Sequence, residues 1–111
     1  MMDERRSTQR KTLRCKVLLR VDEKILSTHA IDISSGGMSV ICDVNLPPRK
    51  NGEVYFYMPI TSIDSEPFRA EVSLVNSAYS HSDGGFRIGL VFRKMSQRAL
   101  TTLTSFLERR S

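Results

Sequence analysis

Two short segments carry side chains whose types and spacing suit the capture of a charged ligand. The first is Glu4-Arg5-Arg6-Ser7-Thr8-Gln9-Arg10, in which Arg6 and Arg10 have RxxxR spacing and Arg5 stands immediately before them. A guanidinium is planar and always charged, and its forked N–H donors match phosphate oxygens or the O6/N7 edge of guanine. It also stacks on a flat base. Several arginines on one arm could therefore grip both the phosphates and the bases of one ligand. The second segment is Asp32-Ile33-Ser34-Ser35-Gly36-Gly37. If Ile31 and Ile33 face a core, Asp32 and Ser34 share the opposite face of the strand. A carboxylate there accepts from guanine N1–H and the exocyclic amine, and a hydroxyl reaches a base or a phosphate. Gly36 and Gly37 are expected to permit a sharp turn and a close approach of backbone N–H groups. Each segment alone has a plainer reading: a solvated basic tail, and a polar turn between two strands.

Little else in the chain suits chemistry. The histidines, His29 and His81, have neither metal-ligand nor triad-like spacing, and no glycine-rich loop joins a strand to a following helix. Cys15 and Cys42 stand apart without CxxC spacing, which predicts two buried thiols rather than a disulfide or a zinc site. We therefore expect no enzyme activity and no metal or cofactor.

Charge is unevenly placed. Residues 1–20 hold seven basic side chains against Asp3 and Glu4, an excess equal to the whole formal net charge of +5. The remaining residues carry ten of each sign. A balanced body with a cationic N-terminal segment points to an anionic partner met at one place. At 111 residues and 40% hydrophobic content the chain makes one domain with one core. No apolar run approaches the roughly 20 residues of a membrane span, and the first residues lack the apolar segment of a secretory signal. A cytoplasmic location is the expectation.

The elements that must hold these groups read mainly as β. From Leu13, Cys15, Val17, Leu19 and Val21 alternate with Arg14, Lys16 and Arg20, the period of a half-buried strand. Asp22-Glu23-Lys24 predicts a turn, Ile25 to about Ile33 a second strand, and Met38 to Cys42 a third. Pro47 to Gly52 predicts a loop, with Asn51-Gly52 favouring a turn. Strands are predicted at Val54–Met58, Phe68–Leu74 and Phe86–Phe92, the last two joined by a hairpin turn at Ser82-Asp83-Gly84-Gly85. Ser96 is placed to cap a helix, with Met95 and Leu100 as a hydrophobic staple and Leu100, Leu103, Phe106 and Leu107 as its apolar stripe.

RxxxR, 21 intervening residues, then DxSxxG: this combination resembles the PilZ domain family. Arg6 and Arg10 match the first motif, and Asp32, Ser34 and Gly37 match the second. Gly85-Phe86-Arg87-Ile88-Gly89-Leu90-Val91-Phe92 looks like the family's closing strand, so the resemblance runs nearly the full chain. It implies a six-stranded antiparallel β-barrel with a C-terminal helix at about 96–110, a flexible basic arm over 1–12 and a barrel domain over 13–111. It implies a receptor for cyclic di-GMP, a ligand with two phosphodiesters and two guanines. The implied site is Arg5, Arg6, Arg10, Asp32, Ser34, Gly36 and Gly37, with Asn76 and Arg87 as candidates from later strands. The arm would clamp the ligand, either one molecule or an intercalated pair, onto the outer barrel face. The altered surface would then signal to a downstream effector protein.

Two other readings remain open. A PilZ-like adaptor could work through protein contacts alone, although loss of the arginines or of Asp32 would favour it and both are present. A small basic β-barrel could bind single-stranded nucleic acid on Tyr55, Phe56 and Tyr57, but adjacent aromatics alternate faces and the balanced charge beyond residue 20 opposes a long basic groove.

Overall fold

The computed structural model describes residues 10–109. In chain order the elements are β1 (Lys11–Thr12), β2 (Lys16–Val21), β3 (Lys24–Ile33), β4 (Gly37–Cys42), β5 (Asn51–Pro59), β6 (Ser65–Ser80), β7 (Gly85–Lys94) and α1 (Gln97–Glu108). Every strand pairing is antiparallel. The order β3-β2-β5-β6-β7-β4 closes on itself through a β3–β4 pairing, giving a six-stranded barrel with β1 as an extra short strand on β3. No helix among the described residues is long and apolar enough to cross a membrane.

Alternation fills the interior. Val17, Leu19 and Val21 of β2 face inward, as do Val54, Phe56 and Met58 of β5 and Ile88 and Leu90 of β7, all buried. Phe56, Phe68 and Phe92 stack as a tilted trio with centroids 5.0 and 5.8 Å apart, the offset geometry aromatic pairs prefer. Helix α1 packs on β5 and β6. Ser96 caps it, its hydroxyl accepting from the Ala99 N–H at 3.1 Å.

Several local expectations give way to tertiary structure. The boundary expected after residue 12 lies inside ordered structure, because Lys11 and Thr12 pair with Ile33 and Asp32. A break at 13–15 separates them from β2, although Leu13 is buried and its N–H reaches the Ile31 carbonyl at 3.0 Å. Asn51-Gly52 is not a turn but the start of β5; a Cβ on Gly52 would overlap the Arg20 carbonyl oxygen of the neighbouring strand. The chain reverses instead at Arg49, whose φ is 70°. Strand β6 runs 16 residues, far beyond Leu74, because its first part pairs with β5 and its second with β7. Bulges at Glu71/Val72 and Leu74/Asn76 let it bend between the two. On the helix, Ala99, Thr102, Leu103 and Phe106 are buried while Leu100 is 44% exposed. The buried stripe is therefore rotated by one residue, and Leu100, the expected staple partner of Met95, is left partly exposed. The thiols are free, as expected; Cys42 is buried, and burial pushes the half-buried Cys15 up to about 11, which keeps it protonated and unreactive.

On the outer wall, Glu53 of β5 accepts from the Tyr55 hydroxyl, from Arg20 of β2 at 2.9 Å and from Arg69 of β6. One carboxylate thereby staples three adjacent strands. These donors, the Tyr55 hydroxyl foremost, hold its carboxyl down at about 2. A lowered folded-state value contributes stability above the ordinary carboxylate range, and that stability is lost as pH falls from about 4.5 toward 2. In acid-unfolding titrations we expect Glu53→Gln to be less stable than the parent at pH 7 and to lose less stability across that window. Parallel curves would show that the network does not respond to pH.

Candidate functional site

The site is assembled around one carboxylate. Asp32 lies at the end of β3, with only 16% of its side chain exposed. Arg10 donates to it from Nε at 2.9 Å, and Arg87 of β7 donates from Nη2 at 3.0 Å. Arg87 also stands 4.0 Å from Asp83 in the β6–β7 turn. Residues 22 and 55 positions from Asp32 thus converge on its two oxygens.

Register explains how Arg87 reaches so far. Asp32 pairs with Ser39, Ser39 with Gly89, and Gly89 with Asn76, so these four form one row across β3, β4, β7 and β6. Met38, Val40, Ile88 and Leu90 point inward, which turns Ser39 and Gly89 outward. Small residues in the middle of the row leave a shallow shelf over which the Arg87 side chain crosses to Asp32. Asn76 lies over Gly89, where its Oδ1 would stand 2.7 Å from an added Cβ. Ser39 and Gly89 escape a motif search. The signal for them is alternation, a small residue between two core residues in each strand.

The DxSxxG segment is arranged differently from the expectation. A bulge between Ala30 and Asp32 shifts the register, leaving Ile31 only half-buried and Ile33 fully buried. Asp32 keeps a partly exposed side chain, whereas Ser34 is buried in the turn that follows. Its hydroxyl accepts from the Gly36 N–H at 3.2 Å, and its N–H donates to the Gly37 carbonyl at 2.8 Å. Ser34 is the fastener of the turn. Neither Gly36 nor Gly37 has a positive φ. Gly37 is required for another reason, since a Cβ there would overlap the Leu90 carbonyl oxygen on β7. Gly36 faces open space, and its carbonyl accepts from the Phe92 N–H at 2.9 Å. Of the expected site residues, Arg10 and Asp32 come together, with the candidate Arg87. Ser34, Gly36 and Gly37 shape the adjoining turn. Arg5 and Arg6 lie outside the described residues.

Lys11, one residue beyond Arg10, turns the other way. Its Nζ donates to the Phe106 carbonyl at 2.8 Å and to the Arg109 carbonyl, 4.8 Å from the centre of the Phe106 ring. It satisfies carbonyls that a helix end leaves open.

A largely buried carboxylate gripped by two partly exposed guanidiniums on a shelf of small residues gathers the charge, donors and flat space that a planar, anionic ligand would need. Among the described residues no group of three or more His, Cys, Asp or Glu side chains could hold a metal ion.

The PilZ domain family model matches residues 4–109. No curated protein matches the chain at the sequence level. Among solved structures, the Bacillus subtilis inhibitor of motility MotI/DgrA superposes with a TM-score of 0.79 at 15% identity, covering 96% of this chain and 54% of that one. The Borreliella burgdorferi PlzA protein, solved in complex with c-di-GMP, superposes with a TM-score of 0.58 at 15% identity, covering 96% and 37%. The chain therefore spans about half the length of the first protein and just over a third of the second.

Gly37 and Gly36 offer a matched test of this geometry. Gly37→Ala must push β4 off β7 and should cost about 1–3 kcal/mol, whereas Gly36→Ala should fall within about 0.5 kcal/mol of the parent. Urea unfolding of both variants measures the difference. Equal midpoints would mean that the two strands are not held this closely.

Proposed function

The chain belongs to the PilZ domain family, and from that premise we propose that it is a cytoplasmic receptor and adaptor for cyclic di-GMP. The observation that carries the proposal is Asp32, a carboxylate on the outer barrel wall that Arg10 and Arg87 both grip. Arg6 and Arg10 take the ligand phosphates, and the carboxylate of Asp32 accepts from a guanine edge. Arg87, freed in part from Asp32, stacks on or bonds to the same base. The shelf of Ser39 and Gly89 gives a flat ring room to lie against the barrel. Output is a change of surface rather than a reaction: the arm and its ligand form a new face for an effector protein.

Calorimetry should give selective binding of cyclic di-GMP with a micromolar or tighter Kd, about −8 kcal/mol. No saturable heat at roughly 100 µM ligand, or equal binding of GTP, would refute the reading. Arg6→Ala, Arg10→Ala and Asp32→Ala should each cost on the order of 1.5–3 kcal/mol of binding free energy. Arg10 and Asp32 lie on the outer surface, so their variants should keep a folded barrel by circular dichroism.

Stoichiometry follows from the residue before RxxxR. A bulky apolar side chain there would fill the space beside the first ligand, whereas the guanidinium of Arg5 stacks on an exposed guanine and offsets phosphate repulsion. Two mutually intercalated ligands per chain are expected. Titration at accurately known protein concentration should give a ratio near two, and Arg5→Ala should lower it. A clean ratio near one would exclude the pair.

A further inference from the structure

Across the barrel from Asp32, a groove of about 1080 Å³ runs beside β2, β5 and β6 and ends against the start of α1. We propose that it is the docking site for an acidic segment of a partner protein, anchored by one or two bulky apolar side chains.

Its composition selects that occupant. Leu18 and Tyr57 line the groove at 39% and 67% exposure, with Met95 beside them. These side chains offer a floor for aliphatic or aromatic anchors. The charged lining is Lys16, Arg69, Lys94 and Arg98 against Glu71 alone. Arg69 is engaged by Glu53, and Arg98 reaches Glu66 at 3.5 Å. Lys16 and Lys94 have no ion-pair partner among the described residues. Lys94 stands opposite Glu71 in the β6–β7 register without closing an ion pair with it, and two such ammonium groups flanking an apolar floor complement carboxylates spaced around a hydrophobic side chain.

Single-stranded nucleic acid fits less well. It needs successive aromatic platforms under a continuous run of cations. The Tyr55 hydroxyl is committed to Glu53 and its ring lies 5.8 Å from the Arg69 guanidinium. Among the described residues Tyr57 is then the one free platform in the groove, and Glu71 opposes a phosphate chain.

The inference supplies the partner's chemistry for the adaptor reading but does not need the nucleotide. The full chain, free of nucleotide, is presented to a phage-displayed library of random peptides, and an enriched peptide is synthesised. Enriched sequences should combine Asp or Glu with Leu, Phe or Trp. The peptide should shift the amide resonances of Leu18, Tyr57 and Lys94. Lys16→Glu with Lys94→Glu should weaken it about ten-fold, Tyr57→Ser should weaken it too, and Asp32→Ala should leave it unchanged. The proposal fails if no peptide is enriched, if the enriched motifs are basic or uncharged, if the shifts map to β3 and β4, or if an oligo-dT strand binds the groove more tightly than the peptide. Loss of cyclic di-GMP binding alone would count only against the receptor reading.

Discussion

The barrel closes because β3 serves two neighbours along its ten residues. Lys24–His29 pair with β2, while His29–Ile33 pair with β4. The bulge between Ala30 and Asp32 supplies the extra residue that bends and twists β3 toward β4. With that seam made, each of the six barrel strands among the described residues has a neighbour on both sides. The bulge also breaks the period of two: Ala30 and Ile33 both face inward, three residues apart. Asp32 is delivered to the outer wall at the seam itself, next to β1 and across β4 from β7. Closure of the fold and placement of the carboxylate are one event.

The extra strand then ties the candidate site to the helix. Three consecutive residues act in different directions: Arg10 bonds Asp32, Lys11 caps the end of α1, and Thr12 pairs with Asp32 through the backbone. The last turn of α1 contains no basic residue of its own, and Lys11 of β1 joins the C-cap Arg109 as a cation at its negative end. The base of the arginine-bearing segment is thus fixed to both barrel and helix before any ligand arrives. Pre-fixing reduces the ordering cost that a bound arm otherwise sets against affinity. The start of the same helix forms a wall of the groove beside β5 and β6, so one rigid element borders both surfaces.

What was legible in the sequence follows from range. Period-two alternation needs only neighbours, and it located β2, β4, β5 and β7 to within a few residues. Ser96 as a cap and Gly84 in a left-handed turn are equally local, and both stand as read, with φ of 74° at Gly84. Long-range causes were hidden. The full length of β6 depends on its having two different partners. The burial of Ser34 depends on the turn through Gly36 and Gly37, and the partial exposure of Ile31 on a bulge that no nearby residue announces, since Ile31 looks as apolar as Ile33. Asn51-Gly52 has the chemistry of a turn, yet Gly52 is glycine because Arg20 of another strand passes too close for a side chain. Of the site, Arg10 and Asp32 could be read from spacing, and Arg87 only as a possibility, because its reach depends on Ser39 and Gly89 keeping the row between them low.

Arg10, Asp32 and Arg87 form one cluster in which a single carboxylate lies between two guanidiniums. A lone half-buried carboxylate is costly to desolvate, and two unpaired guanidiniums side by side repel each other. Paired, they hold one another in rotamers already pointing at the shelf. Because both arginines are about 45% exposed, these pairs are screened and individually weak, so an incoming ligand can displace them. On the receptor reading, ligand phosphate replaces carboxylate as the partner of Arg10, and guanine N–H groups replace Arg10 as the partner of Asp32. Each ion pair or charged hydrogen bond that breaks is matched by another that forms. The gain must then come from what water could not supply beforehand: bidentate geometry at phosphate, stacking of guanidinium on guanine, and release of water from the shelf. All three depend on shape, which is how this surface would distinguish a cyclic dinucleotide from any other anion.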